Sequence, residues 1–159
     1  KIIFFEVIFI NIKTIKMKKL LPILIAFFVT GFTYSQDLTQ AKGGGILDIV
    51  SISPGDGYSN INFEGQISGY GSVFVNFKVS AINTSKTSGT LDGQGRTILE
   101  DGTLFSTPLK GTWKRNGEMM KFYFTDAINN GAMNFVMWDV DILKKTADVK
   151  YFELHGSDN

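Results

Sequence analysis

The chain has 159 residues, of which 43% are apolar and 13% aromatic, and it has no cysteine. The length fits one domain, and the composition suits a packed core rather than a disordered chain. Lack of cysteine excludes disulfides, thiolate metal sites, a cysteine nucleophile and a lipidated cysteine after a leader. The formal net charge of +1 hides an asymmetry: from Gln36 onward, eleven Lys and Arg face fourteen Asp and Glu, a net of −3. A mildly acidic body with dispersed lysines lacks the clustered basic face of a nucleic-acid binder, so no nucleic-acid partner is expected.

Residues 1–16, "KIIFFEVIFINIKTIK", carry no turn or capping signals and do not begin with methionine. They read as sequence upstream of a start at Met17, or as an N-terminal extension. From Met17 come two lysines, an apolar core over Leu20–Val29, and small or polar residues up to Ser35. That is the pattern of a signal peptide over 17–35, cleaved after Ser35. Its apolar core of about ten residues falls short of the ~20 needed to span a bilayer. Export to the periplasm or the outside is expected, with no stable membrane span after cleavage. Residues 36–45, ending in "GGG", read as a flexible lead-in. A single β domain is expected over 46–154, with a frayed tail at 155–159.

Within that domain, "ILDIVSI" and "INFEGQI" are β-type segments separated by the turn cluster "SPGDGYSN". In "SVFVNFKVSAI", Val73, Val75, Phe77, Val79 and Ala81 share one face; Ser72, Asn76, Lys78 and Ser80 share the other, with Phe74 the exception. Such alternation marks a half-buried strand. "TLDGQGRTIL" is a strand interrupted by glycines, and Asp101-Gly102 reads as a tight turn. Asn116-Gly117, between "KGTWKR" and "EMMKFYFTDA", is the strongest hairpin signal in the chain. "MNFVMWDVDIL" and "ADVKYFEL" complete the series. About eight or nine strands follow, with turn signals every 8–12 residues and no helical period. The fold class is therefore all-β: an antiparallel meander in a closed or nearly closed barrel, with a β-sandwich as the alternative.

Five residues are candidates for ligand contact. In "GQGR", Gly93 and Gly95 share one strand face and Arg96 the other. No helix follows to supply an anion site, so the glycines read as a bulge, a corner or a close backbone approach. Arg96 is left to pair with a carboxylate if it faces a cavity. Trp113 is either a core residue or a stacking platform. Tyr123 sits in "MMKFYF", where Met120, Phe122 and Phe124 share one face with Met119, Lys121 and Tyr123 opposite. Asp139 and Asp141 share a strand face about 7 Å apart, as an acid–base pair, cation ligands or ordinary solvent-facing carboxylates. Met133, Phe135 and Met137 form another apolar stripe. Together these stripes imply that both faces are covered, or that one lines a cavity or a partner surface. His155 is the only histidine, which supports neither a metal cluster nor a serine triad, and no metal or cofactor is expected.

Over Tyr70–Leu154, "GQGR…EDG…LKGTWKRNG" resembles small exported bacterial β-barrel domains. More loosely it is similar to allene oxide cyclase-like and dirigent-like barrels and to lipocalin-like calycins, whose G-x-W motif "GTW" resembles. The resemblance implies a barrel that binds a small apolar molecule and, in some members, cyclises or couples it. The leading expectation is a non-enzymatic exported barrel that binds a small apolar ligand or a partner surface. A cyclase- or isomerase-like or carboxylate-dependent enzyme and an oligomeric envelope component are the alternatives.

Overall fold

A computed structural model describes residues 40–68 and 70–157. The segments read as upstream sequence and signal peptide lie outside the described residues. The chain divides after Asp37, and the unit from Leu38 onward contains the barrel.

Eight antiparallel strands follow one another: β1 (Gly43–Pro54), β2 (Tyr58–Ile67), β3 (Gly71–Ala81), β4 (Ser88–Ile98), β5 (Leu104–Asn116), β6 (Met119–Ala127), β7 (Met133–Asp141) and β8 (Thr146–His155). Each pairs with the next, and β1 pairs with β8 from Gly43↔Tyr151 to Asp48↔Thr146, closing the barrel. Gly43–Gly45, read from sequence as lead-in, thus belong to the closing strand, and β8 runs on to His155 in the expected tail. Closure pairs every strand on both sides over part of its length, so no strand is a full open edge.

The period-2 alternation decides which residues are inside. Val73, Val75, Phe77 and Val79 are buried, while Phe74 points out and is 45% exposed. An eight-stranded barrel leaves an interior just wide enough for side chains to fill. Here the middle is filled by Phe63, Phe77, Phe122, Phe124 and Trp138. Their rings meet edge to face, with centroids 5.0 Å apart for Phe63–Trp138 and for Phe77–Phe124. Phe122 and Trp138 instead stack at 6.3 Å. Each such pair contributes about 0.5–1.5 kcal/mol beyond area burial.

The turns follow local chemistry. Gly102 has φ +85°, and the Asp101 carboxylate accepts from the Thr103 amide at 2.8 Å. That bond holds the Asp101 carboxyl below its usual range. At the expected Asn116-Gly117 hairpin the loop is shifted by one residue. Asn116 still pairs with Met119, and the loop is Gly117-Glu118. Gly117 has φ +62°, which fits a turn with glycine at its first central position.

"GQGR" contains no turn and no bulge: β4 pairs with β3 and β5 without a register shift, and Gly93 and Gly95 lie in the body of the strand. The shifts occur at Ile49/Ser51 and Met133/Asn134. Close approach explains Gly93. A Cβ there would lie 2.3 Å from the Asn76 carbonyl oxygen and 2.5 Å from Phe77 Cδ1.

Candidate functional site

The two ends of the barrel differ. The hairpins β1–β2, β3–β4, β5–β6 and β7–β8 surround one end. The connections β2–β3, β4–β5 and β6–β7 surround the other, together with the start of β1 and the end of β8. At this second end the aromatic filling stops short and leaves a half-open cup of about 60 Å³. Val73, Val75, Val136 and Val149 line its wall, Phe124 and Trp138 are shared with the filled middle, and Tyr70, Tyr151 and Asp126 contribute to the lining. Gly95 opens space on the β4 side, where an added Cβ would meet the Thr107 methyl at 2.9 Å.

Polar groups interrupt the inward rows of β6 and β7. On β6 the inward series Met120, Phe122, Phe124 ends at Asp126. On β7 the buried series Asn134, Val136, Trp138, Val140 begins with an amide. The two polar residues are cross-strand partners. Asn134 Nδ2 donates to Asp126 Oδ1 and to the Tyr70 hydroxyl oxygen, both at 2.9 Å, and the Asn134 backbone amide donates to Asp126 Oδ1 at 3.1 Å. Asn134 is buried and fixes both Asp126 and Tyr70. Tyr151 meets the Tyr70 ring at 4.9 Å, inclined by 72°.

The electrostatics follow from burial. Desolvation holds the Asp126 carboxyl above the usual carboxylate range, against the two Asn134 hydrogen bonds that favour its charge. Burial, and then the Asp126 carboxylate, hold the Tyr70 phenol well above its ordinary value. Tyr151 moves the same way through burial, then Glu153 and Asp126. Both phenols are therefore neutral donors throughout the physiological range. Trp138 Nε1 is buried and has no hydrogen-bond partner. An unsatisfied buried donor costs about 1–3 kcal/mol.

The five residues singled out in the sequence lie elsewhere and apart. Arg96 is exposed on the outer wall, cross-strand from Phe74 and Ser106, and donates to its neighbour's carbonyl, Gly95 O, at 2.9 Å. Tyr123 is half-buried on the outer wall, opposite Met137. Trp113 belongs to the core and donates from Nε1 to Ser80 O at 3.2 Å. It also borders a wider, loop-rimmed depression of about 560 Å³ at the hairpin end. Asp139 forms an ion pair with Lys121 across the outer wall. Asp141 accepts from the amides of Leu143 and Lys144 at 3.1 and 2.9 Å, capping the β7–β8 turn. Those turn bonds hold its carboxyl below the usual range. Among the described residues, no group of three or more His, Asp or Glu could hold a metal ion.

Tyr70, Asp126, Asn134, Trp138 and Tyr151 were not singled out. The available signal was polarity at inward positions: Asp126 and Asn134 continue apolar rows, where a polar residue needs a partner or a purpose. The fold and the cavity together define a class, a small closed meander barrel filled at the middle and cupped at one end. No protein-family model, curated protein or solved structure matches the chain.

Proposed function

We propose that this barrel is a non-enzymatic binder that takes up part of a small amphipathic ligand in its cup. The carrying observation is that Trp138, whose buried indole N–H has no partner, is among the residues lining an apolar, half-open cavity. Ligand sites are concave and mainly apolar, with a few polar groups that orient the guest. The walls here are mostly aliphatic and aromatic, and the polar residues among them include Tyr70, Asp126, Tyr151, Thr97, Ser106 and Thr107. A volume near 60 Å³ admits a short hydrocarbon segment carrying a hydrogen-bond acceptor rather than a whole large ligand. An acceptor oxygen beside Trp138 would satisfy the orphan donor.

In this reading the segment Met17–Ser35 exports the barrel, which works outside the cytoplasm. The closed antiparallel meander is an architecture compatible with that of calycin-type or allene oxide cyclase-like ligand-binding barrels. A carboxylate-dependent enzyme built on Asp139 and Asp141 has less support, because those side chains are engaged with Lys121 and with a turn.

Native mass spectrometry of the protein purified from its own host tests the proposal. The expected result is a small co-purifying molecule that is lost in Val136→Phe, which fills the cup. A wild-type protein with no bound mass, and no small-molecule binding in vitro that Val136→Phe removes, would overturn it.

A further inference from the structure

The charge around the cup narrows the class of ligand. Asp126 Oδ1 is occupied by Asn134, and among the described residues Oδ2 has no hydrogen-bond donor or cation against it. No Lys, Arg or His lines the cavity. Glu153, whose charge acts on Tyr70 and Tyr151, is paired with Lys42 at 3.6 Å. The uncompensated charge at the cup is therefore that of Asp126, and the rings of Tyr70, Tyr151 and Trp138 surround the same space. A carboxylate among aromatic rings suits an organic cation, since ring faces attract positive charge and a carboxylate forms short, strong bonds with ammonium donors.

We infer that the cup selects an alkylammonium ligand, with its charged head against Asp126 and its hydrocarbon in the valine-lined cavity. This rests on the binding function proposed above. The burial that disfavours a lone Asp126 carboxylate is offset when an ammonium is bound beside it. An anionic ligand of the same size would meet Asp126 as a like charge, and a neutral one would leave its charge uncompensated.

The test compares three probes of equal chain length, butylammonium, 1-butanol and butanoate, by titration while following the Trp138 indole resonance. Butylammonium is expected to bind about tenfold or more tighter than 1-butanol at neutral pH, with butanoate weakest. Asp126→Asn keeps an acceptor for Asn134 and removes the charge. It should abolish the preference for the cation over 1-butanol. In the wild type, butylammonium binding should weaken as pH falls through the Asp126 titration, while 1-butanol binding should not. Across that range Tyr70 and Tyr151 stay neutral, and Glu153 is the other carboxylate to follow, through Glu153→Gln. Equal binding of the three probes, tightest binding of butanoate, or a cation preference that survives Asp126→Asn would each overturn the inference while leaving the binding function intact. If no probe moves the Trp138 indole, the binding function falls with it.

Discussion

The barrel's two tryptophans mark its two ends and show how they differ. Trp113, toward the hairpin end, donates to Ser80 O and has its polar atom satisfied within the fold. Trp138, at the floor of the cup, is equally buried but its N–H has no partner. The carboxylates repeat the contrast. Asp141, at the hairpin end, is saturated by turn amides and faces Lys144 at 3.0 Å. Asp126, at the cup, faces no cation among the described residues. At one end these polar groups are satisfied within the fold, while at the other they are left for a second molecule to complete.

The largest expected effect comes from removing the floor between the two ends. Phe77 is fully buried and packs edge to face on Phe63, Phe122, Phe124 and Trp138. Phe77→Ala should cost about 3–5 kcal/mol in chemical denaturation. A loss below about 1 kcal/mol would mean that the middle is not packed as described.

The two glycines of "GQGR" sharpen the contrast between floor and cup. Gly93→Ala sets a methyl against a backbone carbonyl and the Phe77 ring, and should destabilise by about 1–3 kcal/mol. Gly95→Ala meets the end of the Thr107 side chain on the cup side and should cost less than half of that. Equal losses would place the filled region further toward the cup.

Acid titration should move the two ends in opposite directions. The folded-state pKa of Asp126 is raised, so its neutral form favours folding; that contribution is complete below the unfolded value of about 3.9 and is lost as pH rises through the folded pKa. Asp141 is lowered, so its contribution is present above about 3.9 and is lost as pH falls through its folded pKa. At neutral pH, Asp126→Asn should therefore be at least as stable as wild type, and Asp141→Asn less stable. Both differences should shrink toward pH 3, as followed by Tm. The smallest effect belongs to the outer wall between the ends. Lys121→Ala breaks an exposed pair with Asp139 and should cost no more than about 1 kcal/mol.

The wall of the barrel was legible in the sequence; the cup was not. Strands, meander order and closure follow from period-2 alternation and short turns, and Val73 to Val79 were placed on the correct side by alternation alone. The cup needs long-range knowledge. Tyr70 lies 64 positions from Asn134, and no local pattern announces that they meet. Chemically conspicuous residues drew attention instead. Arg96, Tyr123 and Asp139 all lie on outward positions, where charge and hydroxyl groups are ordinary. In "MNFVMWDV" the visible Met133, Phe135, Met137 stripe faces outward, and the row that reaches the cup begins with Asn134.

The most direct test of the account is a proton–nitrogen correlation spectrum of the indole region, where two tryptophans give two signals. Titration with 2-butanone, a neutral probe with an acceptor oxygen, should shift the Trp138 Nε1–H downfield and leave Trp113 in place. A shift of Trp113 alone, or of neither indole, would contradict a ligand cup at the end where Trp138 lies.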